Sequence, residues 1–299
     1  MPRNLNETFF KDLQGGLLAP LRERIIADKS LCLELRHDYI NVYYRGGNLL
    51  RLSRDTTGYT AFFDPKYFGG VERPSLPSQH VRTPEDVVSW LAVVPTLKDA
   101  MDVFQKDTSE REVQQLIVQD NNFGKIARHT DYYVCDIEYA SDNGRFDLVA
   151  VHWPSEATAR KQPDRRRLVL GEVKYGDSAL EGAAGLHAHV EDVNRHLGDP
   201  ATLVALKAEM VQVFHQKRAL GLIDCGKDLV GFSDEPPLLL LVLANHDPDT
   251  ARLRELLRSL PPSPHAELRI ASACLLGYGL YDPAILTLDQ AIARFETCI

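Results

Sequence analysis

The sequence predicts an α/β protein, with an N-terminal α+β domain over residues 1–100 and a larger mixed domain over 101–299. Three observations carry this. The first hundred residues set helical stretches on either side of a run of strands and a glycine turn. From Thr108 the order changes to helix, three strands, helices, strand, helix, strand, helix. Between these halves lies a Pro- and Gly-rich loop and a capped helix, which places the boundary between about 80 and 107.

Asn6 to Asp28 reads as helix, because Phe9, Phe10, Leu13, Leu17, Leu21, Ile25 and Ile26 recur at helical spacing, with Gly15-Gly16 as the point of interruption. Leu31 to Tyr44 is strand-like. Arg45-Gly46-Gly47-Asn48 is a turn, and Leu49 to Ser53 returns as the second arm of a hairpin. Tyr59 to Phe63 adds a strand, and Pro65 to Pro77 a loop. Thr83 caps a helix with Glu85 and Asp86 in its first turn, running to about Lys106 with Pro95 as its candidate break. Thr108 or Ser109 caps the next helix, to about Gln119. Tyr132–Tyr139 and Phe146–Trp153 are strands around Ser141-Asp142-Asn143-Gly144, whose Asn-Gly pair marks a hairpin. A polar loop, Pro154 to Arg166, leads to a third strand, Arg167–Lys174. Helices follow over Ala179–Leu197 and Pro200–Leu220. Strands Pro237–Ala244 and Leu268–Leu276, a helix Thr250–Leu260 between them, and a last helix from Leu288 to about Phe295 complete the chain.

Of 299 residues, 44% are hydrophobic and 25% charged, so a sizeable core can form without a disulfide or metal staple. Cys32, Cys135, Cys225, Cys274 and Cys298 are scattered, with no CxxC pair. They point to reduced thiols in a cytoplasmic protein rather than a zinc site. The N-terminus lacks a basic-then-apolar leader, and the longest apolar run, Leu238 to Ala244, is too short to span a bilayer. Secretion and membrane insertion are therefore not expected. The net charge of −8 argues against coating nucleic acid with a broad basic surface, while leaving room for a basic cleft beside a carboxylate site. No P-loop, dinucleotide fingerprint or Ser-His-Asp arrangement stands out.

The chemistry concentrates between Arg145 and Lys174. In Leu168-Val169-Leu170-Gly171-Glu172-Val173-Lys174 a carboxylate and an ammonium appear on one face of an apolar strand. Such charges are costly there unless paired, wet or coordinating metal. Asp147 sits in another apolar strand, Phe146-Asp147-Leu148-Val149-Ala150-Val151, and pairing of the two would set it beside Glu172. Two hard carboxylates plus the Val173 carbonyl suit Mg²⁺, or Mn²⁺ in its place. Lys174 is then placed to orient a water or support developing charge. Taken singly, each residue also reads as a solvated strand face or a strand-end carboxylate. The three together favour a site.

Asp147 followed by Glu172-Val173-Lys174 resembles the PD-(D/E)XK nuclease superfamily. The resemblance covers about Thr108 to Leu197 and not residues 1–100. It implies a restriction-endonuclease-like core of helix, three-strand antiparallel meander, helix and further strands. It also implies a metal-dependent endonuclease or related phosphodiesterase acting on DNA, in restriction, antiviral defence or repair. The family's first helix often supplies a Glu to the metal site. In Ser109-Glu110-Arg111-Glu112 that residue is Glu110, which shares a helix face with Val113, Gln114 and Ile117, and Glu112 is the fallback. Phe146 stands where the family often has Pro. Two rival expectations remain: a catalytically inactive module of this fold used for binding or scaffolding, and an RNA-directed nuclease. A homo-oligomer or a partner protein is also left open.

Arg165-Arg166-Arg167 reads first as a charged solvated loop and second as a set of phosphate contacts beside the active strand. His187 and His189 read first as helix-surface histidines, with a phosphate contact as the sharper alternative. Asp136 and Glu138 read first as an exposed face of the meander, with lining of the cleft as the alternative, and Tyr175 reads as a packing residue. Arg45 and Tyr43-Tyr44 read as a structural hairpin, with base stacking as the alternative.

Overall fold

The computed structural model describes residues 2–69, 73–104, 109–124, 128–141, 144–162, 164–246, 251–273 and 277–296. Lys106, Thr108, the Asp142-Asn143 pair, Thr250, Cys274, Leu275, Leu276 and Cys298 lie outside them.

The helix expected over 6–28 is two. α1 (Glu7–Gly15) starts at Asn6, whose side chain accepts the Phe9 N–H, and stops at Gly16. α2 (Ala19–Ala27) restarts with Pro20 in its first turn. The single strand expected over 31–44 is also two, β1 (Leu31–Arg36) and β2 (Tyr39–Tyr44). They join at His37-Asp38, a turn with no Gly or Pro to announce it. β2 turns back through Arg45 and Gly46, at φ 43° and 76°, the positive values a two-residue hairpin needs. β3 (Gly47–Arg54), β4 (Tyr59–Phe62) and a short β5 (His80–Val81), not foreseen, complete an antiparallel sheet in sequential order. α3 (Pro84–Phe104) runs through Pro95 without a break. Trp90, Val94, Leu97 and Met101 bury in the core of this half, and that packing outweighs the hydrogen bond Pro95 cannot donate.

The second sheet is mixed. β6 (Tyr132–Ser141), β7 (Gly144–His152) and β8 (Arg167–Tyr175) form an antiparallel meander. β9 (Leu238–Ala244) and β10 (Glu267–Ala273) extend it in parallel, and β11 (Ile285–Thr287), also unforeseen, closes it antiparallel. α4 (Ser109–Asn122) covers one face, where Val113, Ile117 and Val118 join Leu148, Ala150, Val169 and Val173. The loop expected over 154–166 holds a short helix, α5 (Ala157–Lys161). α6 (Leu186–Leu197) and α7 (Pro200–Ala219) cover the other face, with Val190, Val193, Met210 and Phe214 against Val149, Val151, Leu168 and Leu170. The two faces take alternate residues of the same strands, as a two-residue period requires. α6 begins seven residues later than the expected Ala179, because Gly182 and Gly185 disfavour helix on the approach. α8 (Ala251–Arg258) and α9 (Leu288–Glu296) stand near the expected places.

Buried charge joins the two sheets. Glu34 of β1 receives the Lys217 ammonium of α7 at 2.7 and 2.8 Å, both side chains essentially inaccessible. Arg36 pairs with Asp136 of β6 at 2.7 Å and donates to the Ile137 carbonyl. Arg3 donates to the carbonyls of Glu138 and Ala140. β6 is the edge of its sheet, so the two guanidiniums occupy acceptors along an otherwise unpaired backbone. Asp136 is thus buried against two arginines rather than on the exposed face expected of it. Burial pushes the Glu34 carboxyl up to about 7, while Lys217 pulls it down and Asp136 raises it.

Candidate active site

The register of the meander builds a cleft. β6 and β7 stay paired to Ser141 and Gly144, and β8 and β9 stay paired to Tyr175 and Ala244. The β7–β8 ladder stops at Leu148 and Gly171. The next residues in that register are Asp147 and Glu172, where the two strands part. Asp147 bridges the gap with its side chain, Oδ2 accepting the Val173 N–H at 2.9 Å. The N–H and C=O of one strand residue face the same edge, so the Val173 carbonyl is directed toward this gap too.

Gly171 makes the last rung possible. A Cβ there would lie 2.9 Å from the Leu148 Cβ. Gly171→Ala is therefore expected to force β7 from β8 and to cost about 1–3 kcal/mol. A thermal melt unchanged from wild type would refute this.

The cleft has a volume of about 550 Å³, and Glu110, Asp147, Glu172, Lys174 and His189 line it. Glu172 and Lys174 share a face of β8 and are both buried. Lys174 Nζ lies 2.7 Å from Glu172 Oε1 and 3.1 Å from His189 Nε2, and that imidazole nitrogen is 2.8 Å from the same Glu172 oxygen. His189 reaches in from α6, and Glu110 from the first turn of α4 on the opposite side of the sheet. Burial holds the Asp147 carboxyl well above the usual carboxylate range. The charge of Glu172 adds to this, and the Val173 N–H opposes it. Burial also raises Glu110, with Lys174 holding it down and Glu172 pushing it up. At the rim, Asp192 is paired with Arg195 at 2.7 Å and Glu138 with Arg111 at 3.5 Å. Glu110, Asp147 and Glu172 thus face one buried ammonium, Lys174.

The remaining expected site residues divide. Glu112 turns away and pairs with Arg45 at 3.3 Å, so the fallback for Glu110 belongs to a different contact. Arg45 also pairs with Asp102 at 2.9 Å, and the buried Tyr44 donates to Asp102, which makes this hairpin end structural. The three arginines lie at the wrong end of β8. Arg167 opens the strand that Lys174 nearly closes, a separation of about 23 Å at ~3.3 Å per residue. Arg167 pairs with Glu267 at 2.6 Å. Arg166 is buried over the Trp153 ring and donates to the Ala159 and Gln162 carbonyls, and Arg165 is exposed beside them. The solvated-loop expectation also fails for Arg166, because its guanidinium is a packing element. His187 is engaged with Ser259 at 3.0 Å, outside the cleft. Its neighbour His189 occupies the place sought for it. The signal available was positional: 189 flanks the buried stripe of Leu186, Val190 and Val193. Tyr175 is 37% exposed rather than packed.

Comparison with family models, curated proteins and solved structures returned no match. Among the described residues, no three His, Cys, Asp or Glu side chains stand together as a ready metal cage. Glu172 Oε1 is taken by Lys174 and His189, and Asp147 Oδ2 by Val173. The donor set nonetheless fits a hard divalent cation. Three carboxylates crowd one cleft, two of them held toward their neutral forms, and a cation among them would relieve that crowding.

Proposed function

We propose that this chain is a Mg²⁺-dependent nuclease that hydrolyses DNA phosphodiester bonds, with Mn²⁺ as an acceptable substitute. One observation carries this reading: Glu110 of α4, Asp147 of β7 and the Glu172–Lys174 pair of β8 come from three stretches of sequence to one cleft, where β7 and β8 part. The order α4, β6–β7–β8, α6, β9 supports a restriction-endonuclease-like core of the PD-(D/E)XK kind.

In this mechanism Asp147, Glu172 and the Val173 carbonyl would hold the ion, with Glu110 as a further carboxylate. When bound, it would supply Lewis-acid stabilisation of phosphate charge and make water a better nucleophile. The Asp147–Val173 bond fixes the distance between the two strands and so orients the carboxylates before substrate arrives. Lys174 supplies a fixed positive charge where negative charge develops on the phosphate. His189 confines Lys174 and Glu172 to one geometry. Among the residues lining the cleft, Arg111 and Arg145 stand at its rim, on the approach of an anionic backbone.

The test is incubation with supercoiled plasmid, single-stranded DNA and RNA, each with Mg²⁺, Mn²⁺ or EDTA. Cleavage of DNA that needs the ion is expected. Preferential cleavage of RNA would favour the RNA-directed reading. Ion-independent binding with no cleavage of any substrate would favour the inactive module.

A further inference from the structure

A second pocket opens on the far side of Glu138. It has a volume of about 350 Å³ and lies between the N-terminal sheet and the β6 edge. Glu138 belongs to the walls of both this pocket and the cleft, so the two are neighbours across one side chain. Glu138 sits at φ 53° in β6, three residues after a register shift that bends the strand there.

The lining holds two tyrosines and three arginines, with the carboxylates of Asp38 and Glu138 beside them. Tyr39 and Tyr43 are half-buried, and both line the pocket. The Arg51 guanidinium stands over the Tyr39 ring at 5.0 Å, and its Nε donates to Asn41 at 3.3 Å. Asn41, buried, donates in turn to the Tyr43 hydroxyl at 3.0 Å, which fixes the two tyrosines relative to each other. Arg3 and Arg36 also line the pocket, but both pair with Asp136, and Arg36 lies 4.0 Å from Glu34 as well. Arg51 differs. Among the described residues it pairs with no carboxylate, and it is exposed. A guanidinium stacked on a tyrosine beside a second aromatic ring matches a flat heterocycle that carries an anionic phosphate.

We propose that this pocket is a subsite for an unpaired base of single-stranded DNA, whose backbone continues across Glu138 into the cleft. The choice of DNA rests on the nuclease reading above. Tyr39 and Tyr43 supply stacking surface and Arg51 the phosphate contact. A paired base is excluded, because its Watson–Crick edge and both its faces are occupied within the duplex.

The experiment measures binding without cleavage. Fluorescence anisotropy of a labelled oligothymidylate of about 12 nucleotides is followed in EDTA. Tyr39→Ala and Arg51→Ala are each expected to weaken binding about ten-fold, the scale of one lost stacking or phosphate contact. Tyr39→Phe is expected to bind like wild type, which separates loss of the ring from loss of the fold. Equal binding by wild type, Tyr39→Ala and Arg51→Ala would overturn the subsite. Tighter, equally Tyr39-dependent binding of oligouridylate would overturn its assignment to DNA. The two proposals fail separately. A wild type that binds through Tyr39 and Arg51 yet cleaves nothing keeps the subsite and removes the nuclease. A protein that cleaves, with oligonucleotide binding indifferent to both residues, does the reverse.

Discussion

Lys174→Ala is expected to slow Mg²⁺-dependent DNA cleavage by about two to three orders of magnitude, the usual loss for one preorganised charge acting on a developing anion. Asp147→Asn is expected to abolish measurable cleavage and, in EDTA, to raise the melting temperature. The asparagine keeps an oxygen for the Val173 N–H and removes a negative charge from beside Glu172 and Glu110. Asp147 is a carboxyl held above its ordinary range. Its neutral form is favoured in the fold, and stability is lost as pH rises through its folded pKa. An amide never ionises and escapes that loss. A gain of about 2–4 °C, equivalent to ~1 kcal/mol, is the expected scale. Stability gained where activity is lost is the signature of a strained functional group rather than a structural one. If Asp147→Asn melted well below wild type in EDTA, Asp147 would be a structural residue and the site assignment would fail with it.

The second large effect lies in the seam between the sheets. Lys217→Met is expected to destabilise the protein by about 3–5 kcal/mol at pH 8, because Glu34 then stays buried with its nearest counter-charge gone. The penalty has a sign in pH. The Glu34 carboxyl already sits at about 7 with Lys217 present, and removing the lysine raises it further. The neutral acid predominates in both folded and unfolded states only well below the ordinary glutamate value of 4.5. The penalty is therefore least there and grows as pH rises through 7. Chemical denaturation from pH 5 to 8.5 measures it. Adding Glu34→Gln to Lys217→Met is expected to recover most of the loss at pH 8. A penalty independent of pH, or no recovery in the double variant, would show that the pair is not the source.

Much of this architecture is legible in the sequence where local pattern and tertiary fate agree. The strands that pair up to Ser141 and Gly144, the apolar stretches of 146–151 and 168–173 and the helix from Ser109 all follow from neighbours in sequence. They locate the strands that bring Asp147 beside Glu172. What escapes is set by distant partners. Pro95 breaks no helix because Trp90, Val94 and Leu97 are held by the core around them. His37-Asp38 turns the chain without a Gly or Pro. Arg166 and Arg167 look like a basic loop until Trp153 and Glu267 are seen to claim them. His189 and His187 flank opposite sides of one buried stripe, and the line of the cleft decides which of them enters it. Asp136 looked solvated because its partner, Arg36, is 100 residues away.

That same arginine, with Arg3, bears on how copies of this protein behave toward one another. β6 ends its sheet with carbonyls that would accept a strand from any chain of matching register. Guanidinium groups sit on the carbonyls of Ile137, Glu138 and Ala140, held there by Asp136 beneath them. A second copy would have to displace two buried cations before its first rung could form. The seam that fastens one sheet to the other therefore also serves as a guard on solubility. Its loss would be felt first as clumping of partly opened molecules, before any change in the fold itself.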